Sequence, residues 1–290
     1  MENYLLEELV TFAKTKTLAK TAAALNVTQP TITRGMQKLE DELNVPLFDR
    51  QPNRITLTAT GQLAAREAAK LLTQQRAFVT TVQNFNRSLT VLPVETTLPG
   101  PLILLKHLQP QLPPNLRVNH QLIAPNQIIP HLTNRQAALI FSDQELFTDT
   151  VESRFIGNEN LIVHLQKFMY QANQQRITFK ELAGLSFVVL NAIGIWKTII
   201  QQAIPDAKFL YQPQRTAFTE ITKYSDFPYF STNLTPLESP QATNPAAEDN
   251  RVAIPITDTS AHLPIYVNYL ISERSRLTPL LQQFTTAWPN

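Results

Sequence analysis

A chain of 290 residues is long enough for about two folded domains, and 43% hydrophobic against 17% charged residues, with no low-complexity run, excludes a disordered polymer. It contains no cysteine, which removes disulfides, thiolate metal sites and a cysteine nucleophile together. The net charge of +2 conceals a division: residues 1–90 carry eleven Lys/Arg against eight Asp/Glu, and residues 91–290 carry fourteen against fifteen. The basic surplus, modest for a phosphate-binding surface, therefore lies in the N-terminal part.

The opening Met1-Glu2-Asn3-Tyr4 is followed by Glu7 and Glu8, not by a basic cluster. No apolar run reaches the roughly 20 residues of a membrane span. Neither export nor membrane insertion is expected, and a cytoplasmic protein is. Residues 18–43, LAKTAAALNVTQPTITRGMQKLEDEL, carry the pattern of two helices joined by a tight turn. Leu18, Ala22 and Leu25 make one apolar face, and the small Ala22, with Val27 in the turn, suits two helices crossing steeply. The Thr28 hydroxyl is expected to accept from a free N–H at the start of the second helix, whose first turn tolerates Pro30. Ile32, Met36, Leu39 and Leu43 then form an inward stripe, leaving Gln29, Thr31, Thr33, Arg34, Gln37 and Lys38 outside. Gly35, in mid-helix, costs about 1 kcal/mol against alanine and marks a place for a close neighbour.

Any amphipathic helix pair gives such periodicity, and the residues after it narrow the reading. Val45-Pro46-Leu47-Phe48 leads through Asp49, Arg50 and Arg54 into the strand-like residues 55–57, a hairpin wing with Arg50 and Arg54 at its flanks and tip. The candidate DNA contacts are Thr28, Gln29, Pro30, Thr31, Thr33, Arg34 and Lys38 on the helix and Arg50 and Arg54 on the wing. Residues 17–61 resemble the winged helix-turn-helix of the LysR-type transcriptional regulators. The resemblance rests on Thr-Gln-Pro at 28–30, Leu-Glu-x-Glu-Leu at 39–43, Pro-Leu-Phe-x-Arg at 46–50 and Leu-Thr-x-x-Gly at 57–61.

Residues 58–87 contain no proline, and their one glycine, Gly61, lies in the first turn of a helix roughly 45 Å long. Ala64, Leu71, Phe78 and Phe85 repeat every seven residues, flanked by Leu72, Val79 and Val82. Such a stripe either lies in a core or meets a second subunit, and a domain of about 90 residues offers too little surface to cover it. Dimerisation through Leu71, Phe78, Val82 and Phe85 is expected, and the resemblance implies the same helix in a homodimer or homotetramer.

Only three of 21 prolines precede residue 90, so the composition changes there. Beyond it, strand-like and helical runs alternate at 92–95, 100–108, 116–122, 127–132 and 137–141, the pattern of a mostly parallel sheet covered by helices. A second set follows: 161–165, a helix start at Thr178 with Glu181 completing a capping box, 187–190, 195–203, 209–211, 217–224 and 228–231. A polar loop is expected at 241–250, then strand-like 252–256 and 265–271 and a last helix near 277–287. The expected divisions are a DNA-binding domain at 1–58, a linker helix at 59–90 and an effector domain at 91–290. The latter has one lobe near 91–158 with 265–290 and another near 159–264. The order resembles the periplasmic-binding-protein-like effector domain of the LysR-type family, giving an α/β protein overall.

The sequence contains no GxGxxG, GxxxxGK[ST] or GxSxG pattern, and its five histidines show no metal-ligand spacing. Asp143 with Glu145, and Glu248 with Asp249, are neighbouring loop charges and not a cross-cleft hydrolase pair. No metal, no cofactor and no enzyme are expected. A ligand cleft is, because open α/β sheets bind ligands beyond the carboxyl ends of their strands. Thr96, Thr97, Ser142, Asn191, Ile193 and Ser231 stand at such ends, and their hydroxyls and nearby N–H groups suit a small polar or anionic effector. The resemblance puts effector contacts near Thr96, Thr97 and Asn191, although the glycine-rich segment usual in the family is replaced by residues 224–230. The partners expected are double-stranded DNA and a small-molecule effector. A regulator without an effector, or a solute-binding protein or enzyme on the same lobes, remains the alternative.

Overall fold

The computed structural model describes residues 1–51, 54–238 and 250–289. Contacts divide the chain into two compact units, residues 1–83 and 84–290. The first unit runs through α1 (Asn3–Thr15), α2 (Leu18–Leu25), α3 (Gln29–Leu43), β1 (Phe48–Gln51), β2 (Arg54–Leu57) and α4 (Ala59–Ser88), whose last turns belong to the second unit. α1 has no counterpart among the expected elements, although Leu5, Leu9 and Phe12 stand at i, i+4 and i+7 and are buried with Ala22, Ile32 and Met36. The first three helices end on residues in the left-handed region, Lys16, Asn26 and Asn44, with φ of 62°, 54° and 53°. This reversal keeps the α2–α3 turn short. β1 and β2 pair antiparallel from Phe48 with Leu57 to Gln51 with Arg54, and the wing tip, Pro52 and Asn53, lies outside the described residues.

Two expectations about the helix pair change. Leu43, placed on the inward stripe, is 40% exposed because it is the last residue of α3, where the chain turns through Asn44 toward the wing. Val27 is likewise exposed, and what it gives the turn is its N–H, which donates to the Ala22 carbonyl at 3.0 Å. Gly35 does mark a close neighbour: a Cβ there would collide with the Glu8 carboxyl. Glu8 is buried, its Oε2 has no hydrogen-bond partner among the described residues, and desolvation pushes its pKa up to about 7.

The second unit contains β3 (Leu92–Thr96), α5 (Gly100–Leu108), β4 (Leu116–Val118), α6 (Ile128–Thr133), β5 (Leu139–Ser142) and β6 (Val151–Gln166). It continues through β7 (Ser186–Leu190), α7 (Trp196–Ala203), β8 (Lys208–Gln212), α8 (Arg215–Tyr224), β9 (Tyr229–Thr232), β10 (Arg251–Pro255), β11 (His262–Leu270) and α9 (Arg274–Ala287). The expected helix start at Thr178 is a four-residue 3-10 turn, Phe179–Leu182, with the Thr178 N–H and hydroxyl both donating to Glu181 Oε2 at 2.8 and 2.7 Å. Of the expected loop 241–250, only Asn250 is among the described residues.

The sheet order is β4-β3-β5-β11-β6-β9-β7-β8, with β10 also on β6. It is mixed and not mostly parallel. β3 pairs parallel with β4 and β5, and β7 with β8 and β9, but β6 and β11 run antiparallel to every strand they meet. The sixteen-residue β6 explains this. Residues 151–160 pair with β11, and residues 161–166 lie between β9 and β10. One apolar cluster gathers Val94, Leu104, Phe141, Val267 and Phe284 around the first part of the sheet, and another gathers Leu161, Val163, Phe187, Ile200 and Ile254 around the rest.

The Glu8 carboxyl gives a pH-dependent test of the first unit. A carboxyl that titrates near 4.5 when unfolded and about 7 when folded withdraws stability as pH rises through that window. Glu8→Gln should therefore melt higher than the native chain, by a margin that grows from pH 5 to pH 8. A margin independent of pH would show that Glu8 is not the titrating group.

Candidate nucleic-acid interface and ligand cavity

α3 turns Ile32, Met36 and Leu39 inward, at 0 to 1% exposure, and leaves Gln29, Pro30, Thr31, Arg34, Gln37 and Lys38 on the surface. Thr28 stands at the N-cap but makes no side-chain cap. Its hydroxyl pairs instead with the Thr31 hydroxyl at 2.8 Å, because Thr31 brings a competing hydroxyl to the same edge of the first turn. The half-buried Thr33 hydroxyl donates to the Gln29 carbonyl at 3.1 Å. Lys38 donates to Glu2 Oε2 at 3.1 Å. Among the described residues, the Gln29 amide and the Arg34 guanidinium take no internal partner.

Long-range bonds fix the approach to the wing. Glu40 Oε1 accepts from the N–H groups of Leu47 and Phe48 at 2.7 and 2.9 Å, while Arg50 donates to Glu40 Oε2 at 2.8 Å. Thr58 donates to the Pro46 carbonyl at 3.0 Å and accepts from the Gly61 N–H at 2.9 Å. Gly61 is required there, since a Cβ would strike the Leu47 carbonyl. The wing motifs seen in the sequence are thus largely bracing, and Arg50 is part of it, whereas Arg54 is exposed at the start of β2.

α4 has two apolar faces. Ala65, Ala68 and Leu72 are buried in the first unit. Leu71, Phe78, Val82 and Phe85 remain 47, 68, 52 and 47% exposed in the single chain.

In the second unit, a cavity of about 370 Å³ opens between α5 and α7. Of the six candidate effector contacts, it is lined by Ile193 and Ser231 but not by Thr96, Thr97, Ser142 or Asn191. Thr96 is fully buried, its hydroxyl donating to the Leu98 carbonyl at 2.6 Å and accepting from the Leu98 N–H at 3.0 Å. The buried Ser142 likewise serves Gln144 and accepts from Asn268 at 2.8 Å. The Thr97 N–H donates to the Phe141 carbonyl at 3.0 Å, and Asn191 Oδ1 accepts from Lys197 at 3.1 Å. Hydroxyls at strand ends here close turns. Ser231 pairs with His164 Nε2 at 2.7 Å.

The wall is mainly apolar, with Leu161, Val189, Ile200, Phe218 and Phe230, so the polar, anion-binding cleft expected from the sequence is not what these residues make. Arg215 on the wall is ion-paired with Glu238. Glu159, absent from the expected site, faces the N-terminus of α5, where a Cβ on Gly100 would strike its carboxyl. The helix end favours its charge, but burial outweighs this and pushes the pKa up to about 7, tempered by the nearby Trp196 and Thr232 side chains. Its signal in the sequence is parity: Glu159 occupies the inward register shared with Leu161, Val163 and Leu165. No group of acidic and histidine side chains suited to a metal occurs among the described residues, and no helix among them is long and apolar enough to cross a membrane.

A second helix with a polar outer edge and a braced wing define a winged helix-turn-helix, and an α/β unit follows it. Residues 4–62 match the family described as bacterial regulatory helix-turn-helix protein, lysR family. The chain is 22% identical over 207 residues to the HTH-type transcriptional regulator YbhD of Escherichia coli strain K12, spanning 69% of this chain and 65% of that protein. It is 24% identical over 203 residues to the HTH-type transcriptional regulator DgcR of a Pseudoalteromonas species, spanning 66% and 68%. Vibrio fischeri DarR, solved in complex with DNA, shares the fold at a TM-score of 0.57 and 17% identity, covering 98% of this chain and 99% of that one. Residues 4–62 are thus a LysR-type helix-turn-helix domain, and the chain as a whole is similar to transcriptional regulators of that type.

The Glu40 brace is testable by thermal melting. Glu40→Ala leaves two N–H groups of buried residues without an acceptor and should cost about 1–3 kcal/mol or more. Arg50→Ala removes only a partly exposed ion pair and should cost less than about 1 kcal/mol. Equal losses would refute the unequal roles.

Proposed function

We propose that the protein binds double-stranded DNA as a homodimer paired along α4, or as a tetramer built from such dimers, and regulates transcription in response to a small molecule held in the α5–α7 cavity. The observation that carries the DNA reading is the edge of α3, where Gln29, Thr31 and Arg34 are exposed opposite a fully buried stripe. A helix entering the major groove reads bases from its N-terminal turns. Gln29 suits adenine, Thr31 a thymine methyl and Arg34 guanine or a phosphate. Arg54 on the wing meets the backbone. The dimer reading is supported by the heptad-spaced exposure of Leu71, Phe78, Val82 and Phe85, a surface too apolar to face water alone. DarR, which shares the fold, is itself solved with DNA. The protein acts in the cytoplasm as a regulator and not as an enzyme.

Duplexes selected from a random pool by the purified protein test this, with an inverted repeat expected. On that site Gln29→Ala should cost about 1–3 kcal/mol and relax preference at the contacted base. Arg54→Ala should weaken all sequences alike. An unchanged Gln29→Ala binding profile would place the reading edge elsewhere.

Phe78→Glu tests the seam. A carboxylate set into a packed dimer interface costs several kcal/mol, on the order of the price of burying an unpaired charge. The variant should sediment as a smaller species and lose cooperative binding to the inverted repeat. Wild-type sedimentation with intact DNA binding would locate the seam off α4.

A further inference from the structure

Two buried polar groups on the cavity wall make no hydrogen bond of ordinary geometry among the described residues, although the Trp196 side chain lies close enough to the Glu159 carboxyl to lower its pKa. They are Glu159 Oε2, in a residue 2% exposed, and the indole Nε1 of Trp196, 4% exposed. Both residues line the same void of about 370 Å³. One is an acceptor and the other a donor, and buried polar groups are rarely left unmet unless something else satisfies them. The remainder of the wall is mainly apolar, with Leu161, Val189, Phe218 and Phe230, and the hydroxyls of Ser231, Thr232 and Thr235 that also line it bond within the protein. Arg215 is neutralised by Glu238, and Lys106 and His120 are exposed at the rim. The N-terminus of α5 would ordinarily attract an anion, but Glu159 already stands there at Gly100. An entering carboxylate would meet another carboxyl.

We propose that the cavity takes a neutral, mainly apolar small molecule with a single hydroxyl head, a phenol or an alcohol, whose O–H donates to Glu159 Oε2 and whose oxygen accepts from the Trp196 indole N–H. The inference rests on the sensing role proposed above for this cavity and adds its chemical class. A carboxylate has no proton for Glu159, and an ammonium has no lone pair for Trp196; a hydroxyl has both. The apolar wall then selects the body of the ligand by size, since a cavity of this volume is filled by an alkylated ring or a medium alkyl chain.

The experiment is calorimetric titration of the full chain at pH 8 with three matched probes: 4-butylphenol, 4-butylbenzoate and 4-butylbenzylamine. The phenol should bind once per chain and at least tenfold tighter than either charged analogue. Trp196→Phe and Glu159→Gln should each weaken the phenol about tenfold; two variants are used so that a folding failure in one still leaves a result. Tighter binding of the benzoate or the amine overturns the class, as does phenol binding indifferent to both substitutions. Absence of saturable heat from every member of the 4-ethyl to 4-hexyl phenol series and from 1-octanol overturns it too. The sensing role is read separately, from DNA affinity with and without bound probe. If the benzoate wins and shifts DNA affinity, sensing stands and the hydroxyl class falls; if the phenol binds as expected and DNA affinity does not move, the class stands and sensing falls.

Discussion

The C-terminal unit depends on the continuity of one strand. β6 is sixteen residues long, well beyond the usual five or six, and contributes Val151 to a small apolar cluster with Ile140 and Leu270, Ile156 to the first large cluster and Leu161, Val163 and Leu165 to the second. Its first ten residues are held by β11 and its last six by β9 and β10, so the two clusters share a hydrogen-bonded ladder and not a loose linker. The register of β6 therefore sets which residues stand where the clusters meet. Alternation puts Leu161, Val163 and Leu165 into the second core with Glu159 on the same side, while the register shift opposite Ile265 and Tyr266 lets Ile156, of the other parity, enter the first. A one-residue slip would turn Leu161, Val163 and Leu165 out of their core and bring Asn160, Ile162 and His164 in, which is why the position of Glu159 is as fixed as that of the core.

Legibility in the sequence followed locality. The turn residues Asn26 to Thr28, the proline in the first turn of α3 and the unbroken run of α4 are signals written within one helical turn of where they act. The α2 and α3 boundaries and the extent of α4 could accordingly be read directly. The alternation beyond residue 90 also yielded most strands and helices. What escaped was set by partners far along the chain. α1 carries an ordinary amphipathic pattern, but nothing local says that Leu9 and Phe12 complete the core of α2 and α3. Thr96 and Ser142 have the composition of ligand contacts, and only the fold reveals that turn bonds to Leu98 and Gln144 occupy their hydroxyls. Arg50 reads as a phosphate contact until Glu40, ten residues earlier, is seen beside it. The first half of β6 was missed because the paired face of a crossing strand mixes polar and apolar residues, with Glu152 held by Arg274 and Ser153 bonded to Asn268.

Comparison of the buried carboxyls, together with the half-buried Glu40, separates structural from ligand-facing roles. Glu40 spends its charge on two N–H groups and a guanidinium, Glu152 on Arg274, and Glu95 on His131 at 2.7 Å and Asn119 at 3.3 Å. In each, desolvation is offset by several donors, the arrangement a carboxylate needs away from water. Glu8 has none of that compensation and Glu159 only the nearby Trp196 and Thr232 side chains, and both have their pKa pushed up to about 7. Their surroundings differ in the one respect that decides function. Glu8 lies against the backbone of α3 at Gly35, where even a methyl group has no room, so the cost is internal to the helix packing. Glu159 lies on a cavity wall with an equally unmet indole N–H beside the same space. The same chemical defect is a packing compromise where the neighbour is backbone and a recognition element where the neighbour is a void.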